Sequence, residues 1–252
     1  MQTWMVVPAY NEERALPRLL QRVEAVRAVD TVLVIDDGST DRTAEVAEGW
    51  PGSPPVRVIR HGRNRGLGAA MRTALQAVAA GPLRDGDVAI TMDADDTHDP
   101  AVIPAMLTAL AHADVVVASR YCPGGREFGL AWHRRVLSRG ASTLLGLLRP
   151  VPGVRDYSCG YRAYRVGTLR QAIARHGVDG LITTDGFACM AELLLRLHRL
   201  GARCGEVPLE LHYERKAGRS KMRIIRTIRG YGAILRAVPR AHRGPAANWR
   251  SE

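Results

Sequence analysis

The chain has 252 residues, 46% of them hydrophobic and 24% charged, which excludes a disordered protein and leaves enough apolar material for one large domain. Its 36 Lys+Arg against 25 Asp+Glu give a net charge of +11, a balance that favours anionic partners: nucleic acid, anionic membrane or phosphorylated substrates. No apolar run reaches the roughly 20 residues of a membrane span, and four cysteines with no CxxC spacing argue against zinc and for reduced thiols in a cytosolic setting.

In chain order, "TWMVVP" (3–8), "TVLVID" (31–36), "VRVIR" (56–60), "DVAITMD" (87–93) and "DVVVAS" (114–119) are short runs rich in Val and Ile. Runs apolar on both faces suit parallel strands covered by helices. The start, "MQTWMVVPAYNEE", lacks a basic segment followed by a long apolar one, so no signal peptide is expected. Between the strands, Leu16, Leu19, Leu20, Val23 and Val26 share one helical face, as do Leu67, Ala70, Met71, Ala74, Leu75 and Val78. Ser39, Thr40 and Asp41 offer a cap before "RTAEVAEGW", and Asp99 with Pro100 another before "AVIPAMLTAL". Strands alternating with helices predict an α/β fold with a mostly parallel sheet.

The pattern changes after residue 120. "YCPGGREFGLAWHRR" reads as an irregular, mobile Gly-rich loop. A helix over "RRVLSRGASTLLGLL", a strand over "GYRAYR" and a helix over 186–200 follow, and then "GEVPLELHYE", which alternates like an edge strand. The last element, about 221–238, turns Ile225, Ile228, Tyr231, Leu235 and Val238 to one side and Arg223, Arg226, Arg229 and Arg236 mostly to the other. That pattern fits either a terminal helix docked on the domain or a basic helix lying on an anionic membrane. We expect one catalytic domain over 1–238, with a donor half (1–120) and an acceptor half (121–238), and a disordered tail over 239–252.

Carboxylates gather where strands end. Glu12 follows the first strand, Asp36 and Asp37 end the second, and Asp93 and Asp95 follow the fourth. In open α/β sheets ligands bind outside the carboxyl ends of the strands, and an Asp-x-Asp turn can aim two carboxylates at Mg2+ or Mn2+. A DxD triplet alone is weak evidence, because such triplets are common in loops.

The ordered set "PAYNEE" (8–13), "DDGSTD" (36–41), "NRGLGAA" (64–70) and "DADDTHDP" (93–100) resembles family 2 glycosyltransferases. "ASRY" (118–121), "RRVLSRGA" (134–141), "DYSCGYRAY" (156–164) and "RKAGRSKM" (215–222) narrow the likeness to the dolichol- or polyprenol-phosphate sugar synthase branch, over about residues 3–238. The resemblance implies a GT-A-like (Rossmann-like) sheet. It implies that Pro8, Ala9, Tyr10 and Glu12 line the nucleoside pocket and that Asp37 accepts from the base. Asp93, Ala94 and Asp95 would meet the donor diphosphate and a Mg2+ or Mn2+ ion. Thr97 stands where the family usually has the Gln of Asp-Ala-Asp-x-Gln, leaving water or Asp96 as alternative third ligands. Arg120, Arg134, Ser138 and Arg215 match the positions that hold the lipid phosphate, and Lys221 closes Arg-x-x-Gly-x-Ser-Lys.

A phosphate acceptor is anionic at neutral pH and needs cations to align it, whereas a hydroxyl acceptor needs a base. The expected activity is therefore inverting, metal-dependent transfer of a hexose from a nucleotide-sugar, GDP-mannose or UDP-glucose, to a polyprenyl phosphate. Asp95, Arg120, Arg134 and Arg215 are the expected catalytic residues. The enzyme would be cytoplasmic and peripheral at the membrane surface, with a membrane partner subunit conceivable. Two alternatives stand beside it. One is transfer to a hydroxyl of a soluble product, with Asp185 or Glu192 as base. The other is a non-catalytic membrane or nucleic-acid module, which 5% aromatic residues and the carboxylates make a poor fit. Asp156 and Arg162 are expected to pair and fix their loop.

Overall fold

A computed structural model describes residues 1–216 and 224–238. Seven strands form one twisted sheet in the order β3-β2-β1-β4-β7-β5-β8. The first five are β1 (Thr3–Ala9), β2 (Thr31–Asp36), β3 (Val56–Arg60), β4 (Val88–Thr91) and β5 (Val115–Ser119), close to the five apolar runs of the sequence. β1, β2, β4 and β5 are buried along their length, because helices cover both faces. β3 lies at one edge and stays half-exposed.

Covering helices come from the amphipathic stretches: α1 (Leu16–Val26), α2 (Thr43–Glu48), α3 (Leu67–Ala80) and α4 (Ile103–Ala109). α1 buries Leu16, Leu19, Leu20 and Val23, and α3 buries Ala70, Met71, Ala74, Leu75 and Val78. Asp99 caps the turn before α4, its carboxylate accepting from the Ala101 N–H at 3.0 Å.

The second half of the chain adds strands to the same sheet. β7 (Arg162–Arg165) inserts between β4 and β5, antiparallel to both, and β8 (Cys204–Pro208) closes the far edge parallel to β5. The Gly-rich stretch expected to be a loop contains β6 (Arg126–Phe128). It pairs in parallel with β9 (Glu210–His212). The edge-strand pattern of "GEVPLELHYE" is thus two strands in two different sheets.

Helices α5 (Trp132–Leu148), α6 (Val166–Leu181), α7 (Ala188–Arg199) and α8 (Ile224–Ala237) complete the chain. The sequence reading had no helix over α6, where Gly177 breaks the helical backbone at φ 66°. α8 keeps the expected face at Val238, with Tyr231 and Leu235 half-buried against the core, and departs from it where Thr227 and Ile234 are buried and Ile228 is 50% exposed. Gly230 lets α8 approach α7 closely, since a Cβ there would lie 2.7 Å from the Ala188 Cβ. Arg223, the side chains of Ile225 and Arg226, and the tail over 239–252 lie outside the described residues.

Candidate active site

The order β2-β1-β4 places the carboxyl ends of three parallel strands side by side, with Ala9 in register with Asp36 and Val6 with Thr91. The chain leaves β1 toward β2 on one side and returns through β4 on the other, which opens a crevice at that rim. Pro8, Ala9, Tyr10 and Glu12 come from the β1 end, and Asp93, Ala94 and Asp95 from the β4 end.

The first two motif loops are stitched together. The Asn11 and Glu12 N–H groups donate to Ser39 Oγ (2.9 Å) and Thr43 Oγ1 (2.7 Å), and Asn11 Oδ1 accepts from the Thr40 N–H (2.8 Å). Asn11 adopts φ 53° to do so, a conformation Asn tolerates better than most side chains. "PAYNEE" and "DDGSTD" therefore form one rigid lip.

Asp37, expected to meet a nucleobase, is engaged by its own chain. Oδ1 lies 2.7 Å from His61 Nδ1 and accepts from the Arg65 N–H, and Oδ2 accepts from the Gly66 N–H at 2.7 Å. The carboxylate thus fastens the "NRGLG" turn ahead of α3. The glycines of that turn are there for approach: a Cβ on Gly66 would lie 2.6 Å from the Asp185 oxygen, and one on Gly68 2.0 Å from the Thr184 oxygen.

At the β4 end, Asp95 is buried and both its oxygens are used. Oδ1 accepts from the Thr97 hydroxyl (2.7 Å) and N–H (3.2 Å), and Oδ2 takes the Lys216 ammonium. Burial raises its pKa, but the Lys216 charge and these hydrogen bonds win and hold it below the usual carboxylate range. Burial pushes the Asp93 carboxyl the other way, and the neighbouring Asp95 charge adds to it, against His98, Lys216 and Arg120. Gly160 of "DYSCGYRAY" comes close to Asp93; a Cβ there would lie 3.3 Å from Oδ1.

Thr97 sits against Asp95, so its hydroxyl belongs to the same turn. Asp96 does not join them. It adopts φ 61° and pairs with Arg22 at 2.7 Å on α1. Among the described residues no group of three or more His, Cys, Asp or Glu side chains is placed to hold a metal ion. Two carboxylates beside one ammonium nevertheless fit a cation, because a positive group already occupies Asp95.

The expected phosphate-binding cations divide into two sets. Arg120 is buried beneath the surface, its guanidinium held by Asp156 at 2.7 Å, Glu127 at 3.2 Å, Ser138 at 3.2 Å and Ser158 at 2.7 Å. It anchors the "DYSCG" loop, and Ser138 is a member of that network. Arg134 and Arg215 belong to the second set. Arg134 Nη1 donates to the Tyr213 hydroxyl at 2.8 Å, and the Lys216 ammonium lies 5.8 Å from the Tyr213 ring centre. Arg215 Nη1 is buried and finds no acceptor among the described residues. Lys221 lies outside the described residues.

The Asp156–Arg162 pair expected from the sequence does not form. Asp156 holds Arg120, while Arg162, fully buried, donates to the Tyr157 carbonyl at 2.8 Å and to that of Met190. The two side chains proposed as a base are also committed. Glu192 accepts from both Thr183 and Thr184 and pairs with Arg196, and Asp185 pairs with Arg72 at 3.2 Å. Burial pushes the Cys159 thiol to about 12, so it is no nucleophile.

Sequence reasoning missed Lys216, Tyr213 and His98. His98 is buried, tilted against Tyr161 at 5.3 Å between ring centres. Lys216 carried a usable signal: it is one of two lysines in a chain whose other basic residues are all Arg, and it lies in a matched motif.

The model of the glycosyl transferase family 2 matches residues 4–172. The chain therefore belongs to this family and is a glycosyltransferase. Among its relatives is an undecaprenyl-phosphate mannosyltransferase of Micrococcus luteus, 34% identical over 99% of this chain and 96% of that one. A polyprenol monophosphomannose synthase of Mycolicibacterium smegmatis is 37% identical over 88% of this chain and 81% of that one. Among solved structures, glucosyl-3-phosphoglycerate synthase of Mycobacterium tuberculosis, in complex with Mn2+, UDP-glucose and phosphoglyceric acid, superposes with a TM-score of 0.65. It covers 99% of this chain and 85% of that one at 20% identity, a likeness of fold.

Proposed function

We propose that this glycosyltransferase moves a hexosyl group, mannosyl from GDP-mannose before glucosyl from UDP-glucose, to a polyprenyl phosphate, with inversion at the anomeric carbon. One observation carries the reading. The rim that presents Asp93 and Asp95 is faced by a segment bearing Tyr213, Arg215 and Lys216, fastened to α5 through Arg134. Carboxylates suited to a metal-bound donor thus stand next to cations suited to a second anion. The mannosyl-transferring relatives support the same acceptor class.

Asp93 and Asp95 would hold Mg2+ or Mn2+, with Thr97 orienting Asp95. Held there, it would offset charge on the leaving nucleoside diphosphate. Pro8, Ala9, Tyr10 and Glu12 would line the nucleoside, with Asp37 keeping the facing turn in place. The acceptor phosphate is already anionic and attacks without a base. Arg215, whose buried Nη1 has no acceptor among the described residues, and Arg134 align it against the donor's charge. An α-linked donor then gives a β-linked sugar phosphate. Arg120 and Ser138 act one step back, shaping the loop on which the site rests.

A peripheral position on the cytoplasmic face of a membrane suits such an acceptor. No helix among the described residues is long and apolar enough to cross a membrane. α5 instead exposes Trp132 (76%), Val136 (63%) and Leu147 (71%) on one side, with Arg135 and Arg139 also exposed. Arg215→Met tests the acceptor reading: lipid-phosphate transfer should fall by roughly 100-fold, while nucleoside diphosphate affinity stays within about threefold. Equal losses in both would remove Arg215 from the acceptor site.

A further inference from the structure

The Lys216 ammonium does more than neutralise a turn. It contacts Asp95 Oδ2 and also feels the charges of Asp93 and Glu12. Its side chain is 13% exposed, so water screens these interactions poorly. Asp95 Oδ1 is meanwhile taken by the Thr97 hydroxyl and N–H. Both oxygens of Asp95 are therefore occupied by the protein itself, and no cation can ligate Oδ2 while Lys216 remains there.

We propose that Lys216 is a tethered place-holder for the divalent cation: it occupies Asp95 until metal and donor diphosphate arrive together, and leaving Asp95 lets the segment carrying Arg215 move. The proposal rests on the metal reading of Asp93 and Asp95 given above. Charge dictates the coupling. A metal ion arriving alone must displace an ammonium that then stays beside a dication, which is repulsive. A metal arriving with a nucleoside diphosphate brings anionic oxygens with which the displaced ammonium can pair. Binding of metal and diphosphate is thus synergistic, and Lys216 supplies the synergy.

Lys216 is also placed to transmit the event. It follows directly on the turn formed by Tyr213–Arg215 and lies over the Tyr213 ring, whose hydroxyl accepts from Arg134. When Lys216 leaves Asp95, the side-chain contact between this turn and the donor rim is broken, leaving the His212 N–H on the Thr97 carbonyl at 3.0 Å as a hinge and the Arg134–Tyr213 contact as the tie to α5. Loading of the donor side would in this way reposition Arg215 for the acceptor.

Mn2+ binding to the full chain, followed by electron paramagnetic resonance of the free ion, tests this without turnover. Wild type, Lys216→Met, Lys216→Gln, Lys216→Arg and Asp95→Asn are each titrated alone and with GDP or UDP. Removing the competing charge should tighten Mn2+ binding in the absence of nucleotide by roughly five- to tenfold in both neutral variants, with Lys216→Arg within about twofold of wild type. The tightening of Mn2+ by nucleotide should be large in wild type and reduced in the neutral variants; a packing defect would not selectively remove it. Unchanged or weaker Mn2+ binding in both neutral variants, with Asp95→Asn weakening wild-type binding, would overturn the place-holder and leave the metal reading intact. Absence of Mn2+ binding in every protein, or indifference to Asp95→Asn, would overturn both.

Discussion

At the scale of single residues, the deepest electrostatic commitment outside the donor rim is the Arg120–Asp156 pair. Asp156 accepts from Arg120 Nε and Nη2 and from the N–H groups of Ser158 and Cys159. Burial opposes its ionisation, but the Arg120 charge and these hydrogen bonds hold its pKa below the usual 3.8. A carboxyl lowered on folding contributes stability that is fully present above its unfolded pKa and is lost as pH falls through its folded one. Asp156→Asn should therefore cost about 3 kcal/mol at neutral pH by leaving Arg120 with Glu127 as its remaining counter-charge. It should also shallow the acid limb of the stability–pH curve, as read by urea unfolding from pH 7 to pH 3. An unaltered acid limb would show that Asp156 is not ionised in the fold. The partner of Asp156 was not legible in the sequence, because Arg162 is nearer along the chain but points through the sheet toward α7. Motif matching placed Asp93, Asp95, Arg134 and Arg215 on one rim, yet it could not see that Asp37 and Arg120 are consumed by their own loops. Charge type is written in a sequence; which opposite charge reaches it across 36 positions is decided by packing.

At the scale of elements, periodicity was a good guide where a helix shows one face to the sheet, as in α1 and α3, and failed where that condition lapses. α6, broken at Gly177, presents no simple stripe and escaped it, whereas α7, though buried nearly all round, still read as a helix over 186–200. α8 keeps Val238, Tyr231 and Leu235 of the expected face against the core but buries Thr227 and Ile234 where Ile228 was expected. Arg149, at the end of α5, closes that helix by donating to the Leu235 and Val238 carbonyls, both at 2.6 Å, which satisfies groups a helix end leaves open. With its buried face spent on α7, α8 is a weaker candidate for membrane contact than α5. Replacing Trp132 and Leu147 together with Glu should reduce co-sedimentation with vesicles containing anionic lipid by roughly 100-fold, since two large apolar side chains each contribute about 1.5–3 kcal/mol on burial. Nucleoside diphosphate binding should stay as in wild type. Vesicle binding that survives the double substitution would assign the membrane surface to another part of the chain.

At the scale of the whole molecule, a sequence that alternates Val-rich runs with helices made the parallel sheet legible, but not the insertion of β7 between β4 and β5. That strand arrives from the second half and runs antiparallel, and no local pattern announces a partner some 70 positions away. Its consequence is functional. By filling the gap between β4 and β5 it brings "DYSCG" against Asp93 and draws the Arg120 network beneath the site, so that Asp93 and the Asp156 that holds Arg120 are linked through one loop. This shared rim, we propose, joins a metal-bound nucleotide-sugar to a lipid phosphate. Its most direct test is transfer of label from GDP-mannose, UDP-glucose and UDP-N-acetylglucosamine to a short polyprenyl phosphate, with Mg2+ or Mn2+ and with EDTA. An acid-labile mannolipid should form from GDP-mannose with metal and be absent with EDTA. Donor binding or hydrolysis with no lipid product, or label passing only to a hydroxyl acceptor, would contradict it.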